Sequence, residues 1–155
     1  MAGAMAMGRF PAELEAALAL TAADELLSLP FLQPGVVPDA GAAYGLAKRG
    51  NQVRVQAASL IWAVREARVN SISPGIIATS MGQQELAGES GAMMCAMLGA
   101  SASKRLGTAA DIAAATAFLL GPESAFITGT DVLVDGGVVA AVRSGALTLP
   151  SGPTP

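Results

Sequence analysis

Residues 44–48 read Tyr-Gly-Leu-Ala-Lys, and residues 70–79 read Asn-Ser-Ile-Ser-Pro-Gly-Ile-Ile-Ala-Thr. The four-residue spacing of Tyr44 and Lys48 predicts a phenol and an ammonium group on one face of a helix. The second stretch is typical of a strand that ends in a Pro-Gly turn and continues to a hydroxyl group. Together the two stretches predict a helix followed by a strand, which is the repeating unit of α/β folds.

The flanking sequence extends this alternation. A long helix, apolar on two faces, is predicted at about residues 42–64, and a short strand at residues 68–73. Thr108 and Asp111 have the spacing of a capping box and predict the start of another helix. β-Branched residues at 130–134 predict a second strand. This order indicates the back end of a doubly wound α/β domain, and two parallel strands alone are too few for a stable sheet.

The segment before the long helix predicts helices rather than strands. Short helices are predicted at residues 11–20 and 21–29, and Thr21 and Asp24 have the spacing of a capping box. A loop rich in proline and glycine follows.

Two further segments have a distinctive composition. Residues 83–100 are rich in methionine and glycine and predict a loosely helical stretch, whereas residues 144–155 are rich in Gly, Pro and Ser and predict a flexible tail.

Composition excludes several functional classes. The net charge is −3 and the pI about 4.8, so nucleic-acid binding is not expected. No uncharged apolar run reaches the roughly 18 residues of a membrane helix, and Met1–Gly8 lacks the features of a signal peptide. The absence of histidine removes Ser-His-Asp and Cys-His nucleophiles and most zinc sites, so no metal is expected. Cys95 is the only cysteine, which excludes an intrachain disulfide, and is predicted to be a small buried apolar residue.

Only 14% of the residues are charged and mean hydropathy is +0.52. Because neither a membrane helix nor a signal peptide is predicted, the chain is expected to be cytoplasmic. So little polar surface suggests that the chain forms homo-oligomers or that part of the domain is missing.

Further motifs follow Tyr44 and Lys48 in a regular order. They are Arg68-Val-Asn70, Ser73-Pro74-Gly75, Arg105-Leu-Gly107, Asp111-Ile-Ala113, Phe118-Leu-Leu120, Ile127-Thr-Gly129 and Asp135-Gly136-Gly137. In this order and spacing the chain resembles the C-terminal half of the short-chain dehydrogenase/reductase family, nearly continuously from Tyr44 to Gly137. The resemblance implies a Rossmann-like doubly wound parallel sheet, NAD or NADP as the cofactor, and a small alcohol or carbonyl substrate.

The resemblance also implies roles for the helical pair. Tyr44 would be the general acid/base. Lys48 would lower the pKa of the Tyr44 phenol through its positive charge and bind the nicotinamide ribose hydroxyls.

Cofactor-binding residues are implied in the turn after the strand. Pro74, Gly75 and Ile77 would form the loop against the nicotinamide, with the Ile77 backbone holding the carboxamide. Thr79 would place its hydroxyl near the carboxamide and pyrophosphate, and it could equally be a helix N-cap. Residues 81–100 would form a mobile substrate lid with an adaptable lining made by Met93, Met94 and Met97.

The family's glycine-rich phosphate turn, its catalytic serine and its helical asparagine do not occur in these residues. We therefore expect a truncated chain: a partial Rossmann-like domain at residues 1–143, with a helical insertion and loop at 9–41, a catalytic half at 42–143 and a flexible tail at 144–155. The predicted function is an NAD(P)-dependent oxidoreductase, inactive as this chain alone. The alternative is a non-catalytic fragment or pseudoenzyme that acts through oligomerisation.

Overall fold

A computed structural model describes residues 10–147 of the chain. Two parallel strands form the sheet in this part, and helices pack on both of its faces. In chain order the elements are α1 (Ala12–Leu20), short 3₁₀ helices at Leu26–Ser28 and Pro30–Leu32, α2 (Ala40–Ala63), β1 (Ser71–Pro74), α3 (Ser80–Ala87), α4 (Gly91–Ala100), α5 (Ala109–Leu120), a 3₁₀ helix at Pro122–Ser124, β2 (Asp131–Val134) and α6 (Val138–Arg143).

The two strands pair in parallel, with Ser71 opposite Asp131 and Pro74 opposite Val134. Side chains alternate between the faces of a strand. Ser73 bonds to a side chain of α2, whereas Ile72 shares a cleft with α5. The helix–sheet–helix layering confirms the predicted mixed α/β class with parallel strands.

The long helix and the capping box are confirmed. α2 contains 24 residues and begins at Asp39, whose carboxylate accepts a hydrogen bond from the Ala42 N–H. At the start of α5, the Thr108 and Asp111 side chains each bond the other's backbone N–H, and Gly121 is the C-cap of the helix.

The predicted helix at residues 21–29 is wrong. Thr21 is the C-cap of α1 rather than the start of a new helix, and its N–H donates to the Ala17 carbonyl. The Arg54 guanidinium from α2 binds the carbonyl oxygens of Leu18 (3.1 Å) and Thr21 (2.7 Å), so these residues terminate a helix. The chain then continues through turns and short 3₁₀ helices.

The helix α6 was not predicted. The Asp135 carboxylate accepts hydrogen bonds from the Gly137 N–H (2.8 Å) and the Val139 N–H (2.7 Å), and so caps this short helix. Val138 and Val139 are buried. Residues 144–147 follow as a turn in which the Leu147 N–H donates to the Ala141 carbonyl. The rest of the predicted tail lies outside the described residues, as does the segment Met1–Gly8.

The main core lies between α4, α6 and the loop after β1. Its buried members are Ile76, Met94, Met97 and Val138. In contrast, the C-terminal end of α2 is exposed: Leu60, Ile61 and Val64 are 78%, 72% and 86% accessible. Only part of the apolar surface of α2 is therefore covered by residues 10–147. Within the same residues, no helix has the length and apolar character needed to cross a membrane.

Candidate active site

Tyr44 and Lys48 lie together on the first half of α2. The Lys48 Nζ is 5.2 Å from the centroid of the Tyr44 ring, within the range of a cation–π contact. Tyr44 is 46% exposed, so its hydroxyl is accessible from the surface of the described chain. The structure therefore brings these two predicted site residues together.

The predicted cofactor-binding residues meet Tyr44 at one cleft of about 510 Å³. Pro74, Gly75, Ile77 and Thr79 line this cleft together with Tyr44. Its position, where β1 ends, is the usual place for a ligand in an open α/β sheet. Lys48 lines an adjoining cleft of about 300 Å³, which also contains Tyr44 and Pro74.

The loop that follows β1 is held by backbone contacts. The Gly75 N–H donates to the Val134 carbonyl at 2.9 Å, which continues the strand pairing. Further on, Gly107 is bonded on both sides, donating to the Ile76 carbonyl (2.9 Å) and accepting from the Ala78 N–H (2.8 Å). The backbone on both sides of Ile77 is thereby fixed at the rim of the cleft.

An ion pair supports the segment that carries Gly107. Arg105 donates two hydrogen bonds of 2.9 Å to the Asp111 carboxylate. These bonds, followed by those from the Thr108 backbone and hydroxyl, hold the pKa of Asp111 well below its usual range. Asp111 likewise raises the pKa of Arg105. Because both side chains are solvent-exposed, the pair orients the segment more than it stabilises the fold.

Thr79 is the N-cap of α3. Its Oγ1 accepts a hydrogen bond from the Gly82 N–H at 3.1 Å. The N-cap role is therefore present, and the same hydroxyl lines the cleft with Tyr44.

The predicted methionine lining is mostly wrong. Met94 and Met97 are 1% and 4% exposed and pack in the core against α6, an element that the sequence did not predict. Of the three methionines, only Met94 also borders the main cleft. The prediction for Cys95 is wrong as well, because this thiol is exposed on the side of α4 that faces away from the core.

Residues from the predicted lid at 81–100 also line the main cleft. Met81, Glu85 and Ser90 come from α3 and the turn after it, and Glu85 is the charged group among the lining residues. Among residues 10–147, no group of three acidic or cysteine side chains could hold a metal ion.

Most of the chain is similar in sequence to known proteins. A family model described as Enoyl-(Acyl carrier protein) reductase matches residues 15–139. The short-chain dehydrogenase/reductase bsc3 of Alternaria brassicicola is 47% identical over 123 residues, which are 79% of this chain and 44% of that protein. The chain thus spans less than half the length of this curated relative.

Solved structures give the same picture. ElxO, solved with NADP bound, is 30% identical with a TM-score of 0.52, covering 63% of this chain and 39% of its own. The 4-hydroxyisoleucine dehydrogenase complexed with NADH is 24% identical with a TM-score of 0.56, covering 68% and 43%. The latter match supports the fold alone. Taken with the family match over residues 15–139, these similarities show that the chain belongs to the short-chain dehydrogenase/reductase family.

Proposed function

We propose that this chain is the catalytic half of an NAD(P)-dependent oxidoreductase that interconverts an alcohol and a carbonyl compound. One observation carries the proposal: Tyr44 shares a cleft with Pro74, Gly75, Ile77 and Thr79, and an ammonium group lies beside its ring. This arrangement puts a proton carrier next to a surface suited to a flat heterocycle.

The residues present fit the nicotinamide end of the cofactor. Pro74, Gly75 and Ile77 offer an apolar wall with little side-chain bulk at its centre, and Thr79 adds a hydroxyl at the rim. When bound, the nicotinamide supplies or accepts the hydride. A glycine-rich turn for the phosphates does not occur in the 155 residues, so most phosphate contacts would come from other polypeptide.

The chain's own residues handle the proton and the orientation of the ligands. The Tyr44 hydroxyl donates a proton to the substrate oxygen in reduction, and the Tyr44 phenolate accepts the proton of the substrate hydroxyl in oxidation. The Lys48 ammonium group lies 5.2 Å from the centroid of the Tyr44 ring, and its N–H groups would bind the ribose hydroxyls of the cofactor. Thr79 uses an oxygen lone pair for the N-cap bond, which leaves its O–H to donate towards the cofactor.

The proposal extends to the domain organisation, the location and the assembly of the protein. Residues 9–41 would be a helical insertion and loop, and residues 42–143 the C-terminal, catalytic part of a Rossmann-like domain. The protein is a cytoplasmic homo-oligomer that acts on a small molecule and binds neither nucleic acid nor membrane.

A second candidate is a non-catalytic protein that acts through oligomerisation. The exposed apolar end of α2, where Leu60, Ile61 and Val64 are each more than 70% accessible, favours this alternative. It requires no cofactor and no role for Tyr44.

The two candidates are separated by restoring the rest of the domain. A chimaera would join the part of the bsc3 relative that precedes the matched region to this chain. Wild type should then oxidise or reduce some member of an alcohol and carbonyl panel, and Tyr44→Phe should lower turnover about 10²- to 10⁴-fold while cofactor binding persists. Near-full turnover in a folded Tyr44→Phe variant would reject the role of Tyr44, and a folded wild-type chimaera that is inactive on the whole panel would favour the second candidate.

A further inference from the structure

Tyr44 and Lys48 continue along α2 to a third polar residue at the same spacing. Gln52 follows Lys48 by four residues, so a phenol, an ammonium and an amide form one ridge of the helix. Exposure falls along this ridge, from 46% at Tyr44 to 4% at Gln52. The amide is the buried end of a ridge whose other end lines the candidate active site.

Gln52 joins α2 to both strands through buried hydrogen bonds. Its Nε2 donates to the Ser73 Oγ at 2.8 Å and to the Asp131 Oδ2 at 3.3 Å. The other oxygen of Asp131 accepts a bond from the Ser71 hydroxyl at 2.6 Å. On the opposite side, the Arg49 guanidinium donates to the Gln52 Oε1 at 3.2 Å. The amide is therefore a junction between helix and sheet.

The hydrogen bonds at this junction hold α2 over a polar part of the sheet surface. The sheet surface next to Gln52 carries the polar side chains of Ser71, Ser73 and Asp131, which this junction joins to the helix. Directional bonds then set the rotation and height of α2 over the strands. Ser73 directly precedes Pro74, so the same bond that holds the helix also holds the start of the cleft wall.

We propose that Gln52 is a positioning residue that sets the location of Tyr44 relative to the Pro74 loop. This inference rests on the proposed function of Tyr44 as the proton carrier. The two residues are eight positions apart, or about 12 Å along a rigid helix, so a rotation or shift at Gln52 is transmitted to the phenol. A misplacement of about 1 Å can cost on the order of 10²-fold in rate.

The first test needs no activity, because Tyr44 is the only tyrosine in the chain. Incorporation of 3-fluorotyrosine gives a single ¹⁹F resonance that reports the surroundings of the ring. In Gln52→Leu this resonance should shift or broaden. The matched control is Val53→Ala, which removes the neighbouring buried side chain, 4% exposed, and leaves the amide bonds intact.

The expected result is a changed resonance in Gln52→Leu and an unchanged one in Val53→Ala, although both variants lose stability. Equal effects in the two variants, or none in a folded Gln52→Leu, would overturn the inference. If Gln52→Leu does not fold, Ser73→Ala removes one of the accepted bonds and should move the resonance in the same direction by less.

The second test uses the bsc3 chimaera described above. Gln52→Leu should lower kcat about tenfold to a hundredfold with KM within about twofold, because the phenol is displaced while substrate binding persists. An active wild type with unchanged kcat in Gln52→Leu overturns the positioning role alone. An inactive wild-type chimaera overturns the proposed function instead, whatever the ¹⁹F result.

Discussion

Gly75 lies against Asp135, so that a Cβ added to Gly75 would stand 2.6 Å from the Asp135 Cα. The contact joins the ends of the two strands, because the Gly75 N–H also donates to the carbonyl of Val134, the residue before Asp135. A neighbour formed by backbone cannot rotate away as a flexible side chain could. The close pairing of β1 and β2 at the cleft therefore requires that residue 75 has no side chain.

Gly75→Ala is expected to destabilise the fold by about 1–3 kcal/mol, because the strand ends must separate to admit the methyl group. The urea midpoint of unfolding measures the change. Gly45→Ala is the control, since nothing lies within 4 Å of its added Cβ and the position is inside α2. Gly45→Ala should raise the free energy of unfolding by about 0.5–1 kcal/mol. A Gly75→Ala protein as stable as Gly45→Ala would contradict the close approach.

Asp111 should make the stability of the chain depend on acid pH. Its pKa is depressed in the folded state, mainly by the Arg105 hydrogen bonds, relative to an ordinary value near 3.9. A carboxyl group whose pKa is depressed by folding stabilises the folded state at pH values above its ordinary pKa. This stabilisation is lost as the pH falls towards the pKa of the folded state. The difference in unfolding free energy between wild type and Asp111→Asn should thus be constant at neutral pH and shrink below about pH 4.

Urea unfolding at a series of pH values measures this difference. Asp24→Asn serves as the control because it removes the same charge from an exposed turn that has no capping box. A difference for Asp111→Asn that grows as the pH falls would contradict the prediction.

Thr79 should have a structural role that can be separated from any role in cofactor binding. Thr79→Ala removes the bond to the Gly82 N–H and should cost about 1 kcal/mol, whereas Thr79→Ser keeps the hydroxyl and most of the stability. Thermal unfolding of the chain alone measures the N-cap contribution. Equal melting temperatures for the alanine and serine variants would show that the N-cap bond contributes nothing.

The parts of the fold that the sequence predicted are those set by local chemistry. The Thr108 and Asp111 capping box needs only residues three positions apart, and the Tyr44 and Lys48 pair needs only a helix. The wrong predictions depend on distant contacts. Thr21 ends a helix because Arg54 reaches it from α2, and the sequence near Thr21 carries no sign of that contact.

The same distinction separates the two parts of the candidate site. Pro74, Gly75, Ile77 and Thr79 were identified through the family resemblance, and the structure places them beside Tyr44. Met97 was misplaced because its burial depends on packing against α6, a helix that the sequence did not predict. The buried Gln52 could have been found by extending the four-residue spacing one further step.

The exposed end of α2 predicts self-association through a surface defined by Leu60, Ile61, Trp62 and Val64. Leu60, Ile61 and Val64 are each more than 70% accessible. Contiguous apolar exposure of this kind favours burial against another molecule. Trp62 is 49% exposed and is the only tryptophan, so its emission reports this surface directly. The sedimentation coefficient should rise with protein concentration, and Trp62 emission should shift to shorter wavelength over the same range.

Ile61→Glu should abolish both concentration effects, because a buried unpaired carboxylate opposes contact between apolar surfaces. Phe126→Glu is the matched control: Phe126 is fully exposed but lies outside the α2 surface, so the added carboxylate should leave the Trp62 shift unchanged. Association that persists in Ile61→Glu would assign the contact to another face of the molecule. A wild-type chain that stays monomeric at every concentration would show that the α2 surface does not mediate association, and the oligomerisation alternative would lose its supporting observation.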